Sequence, residues 1–469
     1  MAADVGQDVS LTRLLGWLRC PECGGPFTFS PSPRQPFPDG AFGMVSCGSH
    51  SYPVVDSIPI LRRGRIDVQE HTTHRIEVVG PTVEELIDNV RRDPVEALVS
   101  LLAFPPTLPL KLGRIPGVRG VLTRGPAARV GLEARRAHLR KRLASLEQQT
   151  AQDWLDLSYL RSRDVSYELH PYFLTRFSQP RYLSSLSLLS TLEGGSAPVL
   201  DVACGFGHLS YHLGARKRSV HTVGVDRNFF QLWVGRRWIA RRSDFVCADV
   251  SQPLPFTDGS FSASLCTDSF HLLPRQAEAM AEMQRCAQAR TVIVDRVGNR
   301  LLEPRDTDSE LSPQGYLDLV GDAPRRMVAE SELLEGYLRG EGPTLAADRA
   351  AEAFMREKWI SLVASDDQRF FVDHGPLEGL PHAEGHLGLN PIYGVETQGE
   401  DVRLRFEFPS TWHAFENAGM LAYHVWGLTL PREHLEAALS GRDPEGRADL
   451  VNQFVLIGMP ETYLRPVAL

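Results

Sequence analysis

Residues 198–207 read Pro198-Val199-Leu200-Asp201-Val202-Ala203-Cys204-Gly205-Phe206-Gly207. Val199, Leu200 and Val202 predict a short buried strand, and a helical pattern opens at His208-Leu209. A turn of small residues lies between them. A strand that passes through such a turn into a helix brings backbone N–H groups and a helix N-terminus to one ligand. Gly205 and Gly207 are then positions where a Cβ would hold that ligand off the backbone. Two glycines in such a turn are common, so the motif needs its neighbours.

Those neighbours come in order. His221-Thr-Val-Gly-Val-Asp226 reads as a second apolar strand ending in an acid, 25 residues beyond Asp201. An acid at about that distance suits hydrogen bonding to the two hydroxyls of a ribose. A third strand is expected at Asp244–Asp249, a fourth at Phe261–Asp268 followed by Ser269-Phe-His271, and a fifth at Arg290–Asp295. The turn lacks the G-x-G-x-x-G spacing of a nicotinamide-binding fingerprint.

Over residues 195–297 this order resembles the class I S-adenosylmethionine-dependent methyltransferases, in particular the group that includes the ubiquinone- and menaquinone-biosynthesis enzymes. The resemblance implies a Rossmann-like, doubly wound α/β methyltransferase sheet with S-adenosylmethionine as cofactor. It implies a cofactor site built from Asp201, Ala203, Cys204, Gly205 and Gly207 at the methionine end. Asp226 would serve the ribose, Asp249 the adenine amino group and Val250 the purine face, with Arg227 and Asp268 also in the cofactor site. Asp268 and His271 are the candidate catalytic residues, His271 because an imidazole can take a proton near neutral pH. Packing or hydrogen bonding is the plainer role for His271. Ala203 stands where the family's first motif glycine sits, which is tolerated if φ stays negative there. The family's Pro-Gly-Gly before the fifth strand is replaced by Ala287-Gln-Ala-Arg290.

Upstream, Cys20-Pro-Glu-Cys23 and Cys47-Gly-Ser-His50 form two knuckles with 23 residues between them. Such knuckles can place three thiolates and one imidazole around a zinc ion, although a pair of turns with incidental Cys and His is the simpler alternative. With Tyr52-Pro53-Val-Val-Asp56-Ser-Ile58-Pro59-Ile-Leu61, the pattern resembles the zinc-ribbon activator subunit of transfer-RNA methyltransferases, with Ser57 where that family has glycine. A Cys-Cys-Cys-His set is also similar to the zinc end of ribosomal-RNA guanine methyltransferases, at different spacing. Four ligands leave no open coordination position, so the expected role of Zn²⁺ is structural.

The chain has 469 residues, a net charge of −8 and seven cysteines, and no run of eighteen apolar residues. These values fit a chain of several domains without a membrane span and give no general attraction to nucleic acid. The N-terminus, acidic at Asp4 and Asp8, lacks a signal-peptide pattern, and scattered cysteines suit a reducing compartment, so a cytoplasmic location is expected. Residues 101–150 carry ten Lys/Arg against Glu133 and Glu147, densest from Arg135 to Arg142. That helix could follow a phosphate backbone, but a solvated face opposing acidic residues 301–350 is the preferred reading. His170, Tyr172 and Arg176 precede the first strand and are candidates for the substrate wall.

The expected units are a zinc-ribbon-like domain at 1–68, a helical basic arm at 69–150, the methyltransferase core at 151–300 and a C-terminal extension at 301–469. In one version of the extension, 301–365 is a helical lid and the strands near 369–373, 402–408 and 421–428 complete the sheet. In the other it is a separate α+β domain. His374, His382 and His386 are a weak second metal candidate, because glycines and prolines around them oppose a helix. The functional expectation is methyl transfer to a small-molecule acceptor. An RNA or translation-protein acceptor, and a non-catalytic scaffold on the same fold, are the alternatives.

Overall fold

The computed structural model describes residues 9–66, 80–103, 126–160, 166–192, 197–215, 220–302 and 309–466. Seven strands form the central sheet: β5 (Val199–Val202), β6 (Thr222–Asp226), β7 (Asp244–Cys247), β8 (Ala263–Thr267), β9 (Val292–Gly298), β10 (Arg325–Ala329) and β11 (Trp359–Ala364). Their spatial order is β10-β11-β9-β8-β5-β6-β7. The pairs from β7 across to β9 are parallel, whereas β11 runs antiparallel to both β9 and β10. Strand order therefore reverses between β5 and β8, which opens a crevice at the carboxyl ends of those two strands.

The sheet is buried on both faces, which is why its strands read as nearly unbroken apolar runs. On β5, Leu200 and Val202 face a core shared with Leu11, Leu14, Leu18, Met280 and Met283. Val199 faces the other core, with Leu183, Leu186, Leu209 and Leu213. Asp201 shares the Val199 face by strand alternation and accepts a hydrogen bond from Ser210 Oγ, 2.7 Å, on the helix His208–Ala215.

Four short strands, β1 (Thr28–Pro31), β2 (Gly43–Ser46), β3 (Ser51–Val55) and β4 (Ile58–Pro59), make an antiparallel N-terminal sheet. It is joined to the central sheet through backbone: Ile60 bridges Cys247 in parallel, and Leu61 N donates to Cys247 O at 2.8 Å. The exposed edge of β7 is thereby covered. Fully buried Asp56 seals the contact, accepting from Trp233 Nε1 (2.7 Å) and Arg237 Nε (2.6 Å). Asp56 and Ser57 form the β3–β4 turn with φ of 51° and 62°. Ser57 holds this left-handed position with its hydroxyl, which accepts from Ala41 N and Arg236 Nη2.

The C-terminal region differs from the sequence expectation. Strands six and seven of the sheet are β10 and β11, inside the stretch read as a helical lid. The later strands lie in two separate small sheets. One is β13 (Tyr393–Gln398), β14 (Asp401–Phe406) and β15 (Gly427–Pro431); the other pairs β12 (His386–Leu389) with β16 (Leu456–Met459). Residues 369–373 and 421–426 form no strand. The β13–β15 sheet closes its own core around Val402, Leu404, Leu435 and Leu456.

The basic helix forms at Pro126–Leu143, and the acidic partners seen among the described residues lie outside 301–350. Arg136 pairs with Glu96 and Glu133, Arg140 with Glu96, and Arg142 with Asp153. Residues 104–125 of the proposed arm, and Asp4 and Asp8, lie outside the described residues. No described helix is long and apolar enough to cross a membrane.

Candidate active site and metal centre

A cavity of about 400 Å³ opens where strand order reverses, and the glycine turn forms one wall. Asp201, Ala203, Cys204, Gly205, Asp226, Arg227, Asp249, Val250, Asp268 and His271, all anticipated from sequence, line it. Asp226 Oδ2 accepts from Gly205 N at 3.0 Å and Oδ1 from Asn228 N at 2.8 Å, which ties the second strand to the turn. Burial raises the Asp226 carboxyl despite these two donors. Burial likewise pushes Asp201 up to about 7, against the Ser210 bond and helped by Asp226. Asp249 moves the other way. Its partial burial is outweighed by hydrogen bonds from Ser251 and by Arg62 and Arg227.

Two expectations about the turn need correction. Gly207 does not line the cavity: a Cβ there would meet the Phe245 ring at 3.0 Å, so this glycine serves packing of the turn against β7. Ala203 does not keep a negative φ but sits at +56°, a left-handed position that strains an L side chain. Gly205, at φ +55°, fits the freedom expected of it.

The far end of the cavity is walled by the helix Ser166–Leu174, the turn after it and the helix Thr411–Glu416. Tyr172 and Arg176 lie there as anticipated, whereas His170 turns away to Asp156 Oδ1, 2.7 Å. Here Asp268 is enclosed by cations. Its Oδ2 accepts from Tyr172 Oη (2.8 Å), Arg181 Nη1 (3.1 Å) and Arg176 Nη1 (3.2 Å), and its Oδ1 from Arg296 Nη1. Burial alone would raise the Asp268 carboxyl, but Arg296, Arg181 and Arg176 hold it well below the usual range. Asp268, a candidate catalytic residue from sequence, is here an anchored anion and a poor base.

Sequence reading missed Arg181 and Arg296. Arg296 is aimed by a β-bulge, with two residues of β9, Asp295 and Arg296, opposing Ser361 alone on β11. Ser361 Oγ donates to Asp295 Oδ1 at 2.6 Å and accepts from Arg296 N at 3.3 Å. The bulge puts Arg296 at φ +54° and its guanidinium 3.6 Å from the Trp359 ring centre. Asp268, at φ +57°, is strained as well. Paired strain of this kind gathers where a site over-determines the backbone. His271 lines the same end, with its ring 5.7 Å from that of Trp359.

Cys20, Cys23, Cys47 and His50 converge, with every candidate ligand atom within 4.8 Å of the others. Cys23 Sγ and Cys47 Sγ are 3.5 Å apart, and His50 Nδ1 is 3.5 Å from Cys20 Sγ and 3.7 Å from Cys47 Sγ. Thiolates bound tetrahedrally at ~2.3 Å would stand ~3.8 Å apart, so the donor set fits zinc. Among the described residues this is the one such cluster. His374, His382 and His386 do not converge: His382 stacks on Phe454, and His374 contacts Phe370 O.

Residues 199–289 match the family model described as a methyltransferase domain, and the chain has the Rossmann-like methyltransferase fold with additional regions at both ends. Among curated proteins it is similar to a fatty-acid O-methyltransferase of Mycolicibacterium smegmatis, 30% identical over 193 residues. That match covers 40% of this chain and 65% of the relative, so the chain spans slightly under two thirds of the relative's length. Two solved structures are similar at lower identity. One is a geranyl diphosphate C-methyltransferase from Streptomyces coelicolor A3(2), in complex with Mg²⁺, geranyl diphosphate and S-adenosyl-L-homocysteine (16% identity, 39% of this chain and 77% of that one, TM-score 0.29). The other is the [4+2]-cyclase SpnF (19%, 42% and 81%, TM-score 0.29).

Proposed function

We propose that this chain is an S-adenosylmethionine-dependent methyltransferase acting on a small-molecule acceptor. The observation that carries the proposal is the single cavity that runs from Asp249 and Asp226, past the Gly205 turn, to the walled end at Tyr172. The name of the curated relative, a fatty-acid O-methyltransferase, supports a small acceptor. Asp226 would hold the ribose hydroxyls and Asp249, with Val250, the adenine. Asp201 would meet the ammonium of the methionine end. When bound, the cofactor supplies a sulfonium methyl group. The chain's own part is to position the acceptor against it, exclude water with Trp412 and Tyr172, and fix charge at the far end.

We further read the Cys20, Cys23, Cys47 and His50 cluster as a structural zinc site. The units expected from sequence are kept with one change: the methyltransferase core extends through Ala364, because β10 and β11 belong to its sheet. The basic helix gives little support to an RNA acceptor, since Arg136, Arg140 and Arg142 are paired with acids of the same chain.

The test is incubation of the full chain with methyl-tritiated S-adenosylmethionine and a cell extract separated into small molecules, RNA and protein. Label is expected in the small-molecule fraction. Label confined to RNA or protein would contradict the proposal.

A further inference from the structure

The N-terminal sheet does more at β7 than cover an edge. Ile60 bridges Cys247 in parallel, so the chain beyond β4 runs in the same direction as the chain beyond β7. Arg62 and Asp249 are each the second residue past that bridge. Part-buried Arg62 donates from Nη1 to Arg227 O at 3.1 Å, and Cys247 Sγ donates to the same carbonyl at 3.5 Å. Arg227 follows Asp226 directly and, like Asp226 and Asp249, lines the cavity. The contacts that dock the module, Asp56 with Arg237 and Leu61 N with Cys247 O, come before Arg62 in the chain. Asp249, for its part, keeps a carboxylate oxygen in reserve. Ser251 N (3.0 Å) and Ser251 Oγ (2.7 Å) both donate to its Oδ1, and among the described residues none donates to Oδ2. Partial burial alone would raise this carboxyl, but the Ser251 bonds, and then the charges of Arg62 and Arg227, bring it below the usual range.

We propose that Arg62 is a positioning residue of the cofactor site, through which the N-terminal sheet sets the preference for adenine over other bases. Within the methyltransferase reading, on which this rests, Asp249 meets the base. Adenine presents an exocyclic amino donor, and an ionised carboxylate oxygen is the acceptor that suits it. Arg62 acts on that pair in two ways. Its bond to Arg227 O steadies the loop beside Asp226, which serves any nucleoside alike. Its charge favours the ionised form of Asp249, which serves only a base that brings a donor. A hypoxanthine base carries a carbonyl oxygen in place of the amino group, so it sets lone pairs against the Asp249 charge. Discrimination between the two bases therefore separates a role at the site from plain docking of the module.

The experiment titrates the full chain calorimetrically with S-adenosylhomocysteine and, separately, with S-inosylhomocysteine. The unmodified chain should bind the adenine compound more tightly by at least about tenfold, the scale of one charge-assisted hydrogen bond. Arg62→Gln should narrow that ratio by about fivefold, the scale of one neighbouring charge near the surface. Arg62→Lys, which keeps the charge, should retain most of it. In an Asp249→Asn background Arg62→Gln should leave the ratio where it is, since no carboxylate is left for the charge to act through. Melting of each variant without ligand reports folding, and Arg62→Met, which keeps the packing of the stem, takes the place of Arg62→Gln if the latter does not fold. A ratio that Arg62→Gln leaves unchanged, or affinities for the two compounds that fall together, overturns the inference and leaves the methyltransferase reading standing. Equal binding of the two compounds by the unmodified chain does the same. Failure of the unmodified chain to bind S-adenosylhomocysteine removes both.

Discussion

Ala203 carries a Cβ in a left-handed conformation at the centre of the cofactor turn. Ala203→Gly should therefore stabilise the chain by about 1 kcal/mol, the usual penalty for such a conformation, read as an upward shift in the denaturation midpoint. Asp201 makes a pH prediction. Its folded carboxyl is raised to about 7 by burial, so the folded state holds a proton that the unfolded state releases near 4. That difference costs nothing below the unfolded value, grows as pH rises through the window up to about 7, and is constant above it. Asp201→Asn should remove the penalty. Relative to the unmodified chain, the variant should be more stable at about pH 8, with the gap closing towards about pH 4. Denaturant titrations across that range measure it, and a gap that widens on acidification would reverse the sign of the argument. Asp201, Ala203 and Gly205 were legible because they sit in one short motif, and Asp226 because it ends the next apolar strand. The strain at Ala203 was not, since φ is set by where the turn must deliver Cys204 and Gly205 and not by residue type.

At the scale of elements, β5 to β9 were legible because each is a short apolar run ending at an acid or a turn, with boundaries off by at most three residues. β10 and β11 were not. Arg325-Arg-Met-Val-Ala329 is polar at its start and continues into a helix, and Trp359–Ala364 is a six-residue apolar run that periodicity cannot assign. The bulge that aims Arg296 depends on Ser361, 65 residues later, and no local pattern announces it. The N-terminal sheet makes its own prediction. Its strands are too short to be stable alone, and the backbone pairing of Ile60 and Leu61 with Cys247, with the Asp56 ion pairs to Arg236 and Arg237, holds it against the central sheet. Breaking a fully buried ion pair costs about 3–5 kcal/mol, so Asp56→Ala should lower stability by about that much. On the zinc proposal, removal of the metal by a chelator should loosen the N-terminal sheet and lower the melting temperature of the whole chain. Preserved melting after verified metal loss would show that the module is not tied to the sheet.

Over the whole molecule, the cavity is assembled from distant parts of the sequence. The turn comes from residues 203–207, the walls from 169–181 and 411–416, and the cation cluster from residues as far apart as Arg176 and Arg296. The C-terminal stretch braces the wall: Thr462 O and Tyr463 O accept from Ala151 N and Gln152 N, and Tyr463 Oη donates to Phe173 O at 2.5 Å. This assembly explains why the glycine-turn wall of the cavity was legible in the sequence and the wall facing it was not. Calorimetric titration of the full chain with S-adenosylhomocysteine tests the proposal that the cavity holds the cofactor's nucleoside through Asp226. One site per chain is expected in the unmodified protein, with a loss of affinity of at least about tenfold in Asp226→Ala, the scale of charged hydrogen bonds to a ligand. No heat of binding in the unmodified protein, or equal affinity in Asp226→Ala, would contradict it.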